Sequence, residues 1–578
     1  MNADRLLAHY ETIADAPDAI ARLRRFILDL AVRGKLVPQD PNDEPAAELL
    51  KRIAKEKARL AKAGEIRKEK PLTPIEDDTD FDIPPTWRWT RLGVITSYIQ
   101  RGKSPKYAAA DGSLVVSQKC VQWRGLDLSA AKKVTLESLT DYEDIRFLRD
   151  GDLLWNSTGT GTIGRVVRLL DPPENLVCDS HVTVVRCLEV DPDYVRTWLR
   201  SDHVYARIED RAAGSTNQVE LTAQMAINQV VPLPPLAEQH RIVAKVDELM
   251  GLCDRLEAAR AGREAVRDRL TAASLARLNA PDPESFQADA RFALDALPAL
   301  TTRPDQIKRL RQTILNLAVR GKLVPQDPND EPAAELLKRI AKEKARLAKA
   351  GEIRKEKPLT PIEDDTDFDI PPTWRWTRLG VITSYIQRGK SPKYAAADGS
   401  LVVSQKCVQW RGLDLSAAKK VTLESLTDYE DIRFLRDGDL LWNSTGTGTI
   451  GRVVRLLDPP ENLVCDSHVT VVRCLEVDPD YVRTWLRSDH VYARIEDRAA
   501  GSTNQVELTA QMAINQVVPL PPLAEQHRIV AKVDELMSLC DRLEASLVTA
   551  DETRRRLLEA LLAEALAPAD ARELEAAE

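Results

Sequence analysis

Leu30 to Met250 recurs letter for letter as Leu317 to Met537: 221 residues without a substitution, offset by 287. The flanks are related but diverged, with ARLRRFILDL before the first copy and KRLRQTILNL before the second. Solenoid repeats stack three or more units of about 20 to 50 residues. Two copies of this size are instead two whole domains of one fold, and any task performed by one is available to the other.

Composition narrows the class. A chain of 578 residues is expected to hold several domains, and 43% hydrophobic with 30% charged residues suits a soluble globular protein. No apolar run approaches the roughly 20 residues of a membrane span. MNADRLLAHYETIADAPD lacks the basic-then-apolar order of a secretion signal, so a cytoplasmic location is expected. The eight cysteines fill four distinct positions, Cys120, Cys178, Cys187 and Cys253, plus their copies. None forms a CxxC pair, which points to buried free thiols rather than a metal or disulfide framework. Net charge is −8, yet Thr86 to Lys133 holds nine Lys or Arg against two acidic residues. A basic face on an acidic protein suits a polyanion, and on charge alone a solvated loop region suits it equally.

Periodicity divides each half into helix, globule and helix. Ile20, Leu23, Ile27 and Leu30 form one apolar seam. After the turn-rich RGKLVPQDPNDEP, Asp43 is placed to cap a second helix with Pro45 in its first turn. That helix carries Leu49, Ile53 and Leu60 on one side and Lys51, Arg52, Lys55, Lys57 and Arg59 on the rest, a solvated or phosphate-facing coat. From Pro84 to about Pro235 short aromatic and β-branched runs alternate with Gly, Asp and Pro, the texture of strands. One helical segment, PDYVRTWLRSDHVYARI, sits among them. All ten Trp lie in the two copies of this globule. Beyond Pro235, Ile242, Val246, Leu249, Cys253 and Leu256 follow 4, 3, 4, 3 spacing. The second copy extends the seam through Ile529, Val533, Leu536, Cys540, Leu543, Leu547 and Ala550, with Leu557 and Leu561 in phase. A sustained seam of this kind predicts coiled-coil packing.

Chemistry-bearing motifs are sparse. Gly159, Gly161 and Gly164 spell GxGxxG after a strand, but RVVRLLDPPENLVCD follows where a dinucleotide site needs a helix. A strand-to-strand loop fits better. The sequence has no GxxxxGK[ST], no HExxH, no zinc spacing and no NPPY-like tetrad. His181, in a strand pattern, is expected as a packed core or interface histidine, and no nucleophile–base–acid set emerges. Four polar clusters remain, suited to nucleic acid: Arg and Lys to guanine edges and phosphates, Asn and Gln to adenine, hydroxyls to either. They are Arg101, Lys103, Lys106 and Tyr107; Gln118, Lys119, Gln122, Trp123 and Arg124; Asn156, Ser157, Thr158, Thr160, Thr162 and Arg165; and Arg211, Ser215, Thr216, Asn217 and Gln218. Their copies are Arg388, Lys390, Lys393, Tyr394, Gln405, Lys406, Gln409, Trp410, Arg411, Asn443, Ser444, Thr445, Thr447, Thr449, Arg452, Arg498, Ser502, Thr503, Asn504 and Gln505.

These stretches carry a family resemblance. IPPTWRWTRLGVITSYIQRGKSP, GDLLWNSTGTGTIGR and GSTNQVELTAQMAINQVVPLPPLAEQHRIVAKVDEL, with LAVRGKLVPQDPNDEPAAELL ahead of each globule, resemble the DNA-specificity subunit of type I restriction-modification enzymes. The resemblance implies an α+β, mixed α/β fold. Two target-recognition domains are held apart by two long antiparallel coiled-coil helices, with pseudo-twofold symmetry. On that pattern residues 1–83 are an N-terminal helical region and 84–235 the first recognition domain. Residues 236–370 are a central helical region with a linker near 279–305; 371–522 are the second recognition domain and 523–578 a C-terminal helix. It further implies a non-catalytic chain without metal or cofactor that binds double-stranded DNA, two methyltransferase subunits and motor-nuclease subunits. S-adenosylmethionine, ATP and Mg belong to those partners. Family members usually carry two different recognition domains; this chain departs from that, and identical readers predict a gapped palindrome with one adenine methylated per strand. The alternatives are a recognition subunit of another restriction–methylation enzyme type, a nucleotide-dependent enzyme using GTGTIG, and a coiled-coil adaptor without a DNA role.

Overall fold

The seam Ile20, Leu23, Ile27 and Leu30 forms helix α1 (Ala19–Val32), with Phe26, Ile27 and Leu30 buried. The computed structural model describes residues 15–16, 18–67, 72, 74–75, 79, 81–108, 112–159, 161–212, 220–354, 359, 361–362, 366, 368–395, 399–446, 448–492, 495 and 507–566. It divides into two compact units, residues 1–262 with 551–578, and residues 263–550.

In the first unit α2 (Ala46–Lys62) buries Leu49, Ile53 and Leu60, as the spacing predicts. Its cap differs from expectation: Pro45 holds that position. Asp43 is drawn instead into an ion pair with Arg241 at 2.6 Å, because a two-pronged charge-assisted contact outweighs a single cap bond. Much of the basic coat of α2 is also spoken for. Arg52 bonds Glu44 and Glu189, each at 2.6 Å, Lys51 pairs with Glu48, Arg59 pairs with Glu56, and the Lys57 ammonium donates to the Gly93 carbonyl.

The globule is three layers deep. Its main sheet has the order β2 (Thr96–Arg101), β11 (Val182–Cys187), β8 (Leu153–Asn156), β9 (Val166–Arg168). Alternate side chains leave on opposite faces. Ile99, Leu153, Trp155, Val166 and Val185 enter one core with Leu49 and Ile53 of α2 and with Val195 and Trp198 of α4 (Pro192–Leu199). Tyr98, Leu154, Val167, Val182 and Val184 enter a second core, closed by Val116, Val121 and Cys178. Covered on both faces, β8 is buried along its whole length, which is why LLWN lacks a polar alternation. The second sheet has the order β10 (Val177–Cys178), β4 (Ser113–Val116), β7 (Lys132–Val134), β3 (Tyr107–Ala108), and β5 (Val121–Gln122) pairs with β6 (Gly125–Leu126). β1 (Arg88–Arg91) pairs antiparallel with β12 (Val230–Leu233), bringing the two ends of the globule together. The single helix expected over PDYVRTWLRSDHVYARI is two, α4 and α5 (Asp202–Ala212). The Ser201 hydroxyl bonds back to the Trp198 carbonyl at 2.7 Å and competes with the helical ladder there. Two short helices, α3 (Leu136–Leu139) and α6 (Ala223–Ile227), complete the globule.

α7 (Leu236–Asn279) starts directly after Pro235. Arg24 of α1 reaches Asp254 and Glu257 at 2.6 and 2.9 Å, and Arg260 donates to the Ala16 carbonyl. α1 and this part of α7 are therefore antiparallel. In the second unit α8 (Phe286–Asp295) and α9 (Leu297–Leu300) occupy much of the stretch expected as a linker, with Leu275, Leu278, Ala293 and Leu300 in one small core. α10 (Pro304–Val319) and α11 (Ala333–Lys349) repeat α1 and α2, and the second globule repeats the strand order of the first. α12 (Leu523–Leu566) runs antiparallel to α10 through Arg311 with Asp541 and Glu544. The residues of α12 from 551 onward belong to the first unit, where Leu558 and Leu561 pack on Ala16 and Ala19. Leu558, rather than Leu557, is the fully buried member of that seam, one step out of the expected phase. Arg22 near Glu559 and Asp18 near Arg555 make this segment parallel to α1, so within the unit it opposes α7. Among the described residues no helix is long and apolar enough to cross a membrane.

Candidate nucleic-acid interface

Strand register carries several polar loops to one end of the main sheet. β2 and β8 flank β11 antiparallel, with Arg101 opposite Thr183 and Asn156 opposite Val182. β4 runs parallel to β10, with Val116 beside Cys178, so the turns at 117–120 and 179–181 leave in the same direction. Gly102 permits this closeness: a Cβ there would lie 2.2 Å from the Cys178 carbonyl oxygen.

Gln118, Thr158, Thr162 and His181 meet at the centre. The Thr158 hydroxyl lies 2.7 Å from His181 Nδ1, and Thr158 and Thr162 both donate to Gln118 Oε1 at 3.3 and 3.5 Å. The loop leads from β8 into β9, strand to strand, so the helix that a dinucleotide site needs after GxGxxG is missing. Gly159 has φ +97°, and a Cβ on it would press to 2.4 Å from Thr162 Oγ1 and 2.5 Å from Gln118 Oε1. Asn156 and Ser157 face inward and are fully buried. The Asn156 amide donates to the Gln118 and Thr162 carbonyls, and Ser157 bonds the Thr183 hydroxyl. These two residues, expected among the reading groups, brace the loop from beneath, since a polar side chain at the end of a doubly covered strand must satisfy itself internally.

The charged residues fall into two sets. Arg101 is engaged: its Nε donates to the Ser180 carbonyl at 2.7 Å and its Nη1 to Glu220 at 3.2 Å. Arg165 bonds Gln122 Oε1 and the Gly161 carbonyl, both at 2.7 Å. Lys103 lies 5.0 Å over the Tyr142 ring. Lys106, Lys119 and Arg124 are exposed. The Tyr107 hydroxyl donates to Asp179; burial and that carboxylate push its phenol up, so it stays a neutral donor. Trp123 and Arg124 form the two-residue tip of the β5–β6 hairpin. Trp123 is 40% exposed, backed edge-on by Tyr205 at 5.8 Å and faced by Arg200.

His181 is exposed at a turn and is not a core residue. Asp179, Ser180, His181 and Glu220 were not singled out by the sequence, apart from His181 as a packed residue. The signal for Asp179, Ser180 and His181 is DSH, an Asx-type turn in which Asp179 accepts from the His181 amide at 2.9 Å; Glu220 joins through its bridge to Thr158. Thr160 and residues 215–218 lie outside the described residues, as does the side chain of Arg211; the same holds for Thr447, Arg498 and residues 502–505. The second copy reproduces the rest. Thr445 meets His468 at 2.7 Å, Arg388 the Ser467 carbonyl at 2.7 Å, Asn443 the Gln405 carbonyl at 3.0 Å and Arg452 Gln409 at 2.7 Å. Ser444 and Asn443 are buried there too, while Lys390, Lys393, Tyr394, Lys406, Trp410 and Arg411 are exposed. Thr449 bonds Gln405 as Thr162 bonds Gln118. Among the described residues no group of His, Cys, Asp or Glu side chains is placed to hold a metal ion.

The chain is 32% identical to the type I restriction enzyme EcoAI specificity subunit of Escherichia coli, over 94% of this chain and 93% of that protein. It is 31% identical to the EcoEI specificity subunit of the same organism, over 95% and 94%. The chain belongs to the type I restriction enzyme specificity subunits. No family model matches it. Among solved structures, the HsdS subunit from Thermoanaerobacter tengcongensis is 20% identical with a TM-score of 0.44, covering 84% of this chain and 98% of that one. Within this specificity subunit, then, the two loop clusters are the two copies of one surface. Each is assembled from strand ends that the core holds in fixed register.

Proposed function

We propose that this specificity subunit is a non-catalytic DNA reader whose two identical globules, residues 84–235 and 371–522, each recognise one half of a split double-stranded target. Residues 1–83, 236–370 and 523–578 form the helical frame that carries them. The observation that carries the reading is the same solvent-facing loop cluster present twice, on copies identical across 221 residues. Exposed Lys106, Lys119 and Arg124 suit phosphate oxygens, and Gln118, Thr162 and Arg165 offer amide, hydroxyl and guanidinium groups suited to base edges, while buried Thr158 holds Gln118 and His181 in place beneath them. Identical readers in inverted orientation call for a gapped palindrome. Methylation then falls on one adenine per strand, performed by two methyltransferase subunits that bring S-adenosylmethionine. Motor-nuclease subunits bring ATP and Mg. The setting is the cytoplasm.

Long-read methylation sequencing of cells that express the chain with its partner methyltransferase tests this. The expected result is a single gapped palindrome modified at adenine on both strands. An asymmetric motif would overturn the equivalence of the two readers, and the absence of any modified motif would overturn the recognition role.

A further inference from the structure

The most heavily tied part of each long helix is its first turn. Glu238 is 1% exposed and Gln239 fully buried. Glu238 Oε2 accepts from Trp87 Nε1 at 2.9 Å, and its other oxygen accepts from the Gln39 amide in the turn between α1 and α2. Gln239 donates to the Pro234 carbonyl and accepts from the Asp191 backbone amide ahead of α4, both at 2.9 Å. Arg241 closes on Asp43. Three segments distant in sequence, residues 39–43, Trp87 and Asp191, therefore converge on one helical turn. The second unit repeats the joint, with Trp374 on Glu525 at 2.9 Å, Gln526 on the Asp478 amide at 2.9 Å, and Arg528 on Asp330 at 2.6 Å.

A buried carboxylate is a poor choice for stability alone, because an apolar side chain of the same volume fills such a site as well or better. What a carboxylate adds is direction: two fixed donors, Trp87 at the start of the globule and Gln39 in the turn between α1 and α2, admit a single orientation. Burial pushes the Glu238 carboxyl up, against the hydrogen bonds from Trp87 and Gln39 that favour its charged form. Orientation matters for a split target. A globule of about 150 residues has a radius of gyration of about 15 Å. A swing of about 10° at the joint would carry its far side by about 5 Å, more than the roughly 3.4 Å rise of one base pair.

We propose that Glu238 and Glu525 are positioning residues that lock each globule at one angle on the helix carrying it, and thereby fix the gap length that the subunit accepts. The inference rests on the recognition reading above. Its test uses the full chain with its partner methyltransferase, in cells carrying plasmids with the parent's own motif. The motif is placed at its natural gap and at gaps one base pair shorter and longer. The parent is expected to lose modification by about a hundredfold at the altered gaps, the scale of a misplaced reacting geometry. In Glu238→Gln with Glu525→Gln, where an amide replaces one acceptor, that preference is expected to narrow to within about tenfold. Modification at the natural gap should persist. Trp87→Phe with Trp374→Phe removes the donor to that acceptor and keeps an aromatic ring; it must narrow the preference likewise, and it carries the test if the first pair does not accumulate. Folded variants that keep the parent's gap preference would overturn the joint as a positioning device, whatever their melting temperature. A parent that modifies no gapped motif would overturn the recognition reading, and the joint with it.

Discussion

The two copies differ first at the residue just ahead of them: Asp29 stands where the second copy has Asn316. In the first unit His203 Nε2 lies 2.7 Å from Asp29 Oδ1, and Arg33 donates to the same oxygen at 2.9 Å. In the second unit His490 and Arg320 meet Asn316 Oδ1 at 2.8 and 3.2 Å. The Asn316 amide also donates to the Asn279 carbonyl and side chain, at the end of α7, at 3.0 and 2.9 Å. The same histidine of the same globule thus faces a carboxylate in one unit and an amide in the other. Identical sequence reproduces identical local geometry, but the electrostatic setting of a shared residue is written by its neighbours. A carboxylate suits a histidine and an arginine; an amide is required once a second helix also needs a donor.

The comparison is broken most severely in the core. Trp155→Ala and Trp442→Ala each empty a fully buried site between the sheet and the helical layer. Each is expected to destabilise its own unit by about 3 to 5 kcal/mol. Urea unfolding of the two single variants should give equal losses if the copies are energetically equivalent, and unequal losses would show that the flanking helices reach into the core. Next comes the loop. Gly159→Ala and Gly446→Ala force a Cβ onto two polar atoms at a positive φ, for about 1 to 3 kcal/mol of local strain. Methylation of the cognate motif should fall strongly in either single variant, because a target split between two readers needs both. Full activity from either would break the equivalence.

Acid sharpens the comparison at Asp29 and Asn316. Burial pushes the Asp29 carboxyl up, but hydrogen bonds from His203 and Arg33 hold it below its ordinary value. A depressed folded pKa brings stability that is present above the unfolded value, about 3.9, and lost as pH falls through the folded one. Asp29→Asn should therefore flatten the loss of stability below about pH 4 in the first unit, at a cost of about 1 kcal/mol near neutrality. Hydrogen exchange of peptides covering α1 and α10, which differ in sequence, separates the two units; an unchanged acid response of α1 would discard this account. The smallest effect is expected at exposed pairs. Arg59→Ala and Arg346→Ala each remove solvent-screened surface contacts with two glutamates and should leave the urea midpoint close to the parent's, equally in both units.

Local pattern was legible where local physics decides. The seams of α1, α2 and α7, and the strand texture from Pro84 onward, follow from residue spacing and recur in the fold. What failed depended on partners distant in sequence. Asp43 was lost as a cap because Arg241, 198 residues away, reaches it first. Leu558 replaced Leu557 because the seam there meets Ala16 and Ala19. Asn156 and Ser157 have side chains suited to reading bases, yet they end a strand covered on both faces. Asp179, Ser180 and Glu220 join the loop cluster only through the parallel pairing of β4 with β10 and the isolated bridge of Thr158 to Glu220. No periodicity announces either.

The assignment of residues 551–566 to the first unit imposes an order on synthesis. A ribosome moving at about 5 to 20 residues per second finishes every residue of the contiguous second unit before it makes the segment that covers Ala16 and Ala19. The half of the protein that is begun first is completed last. A nascent chain therefore carries a finished second reader while its first still shows an open apolar flank.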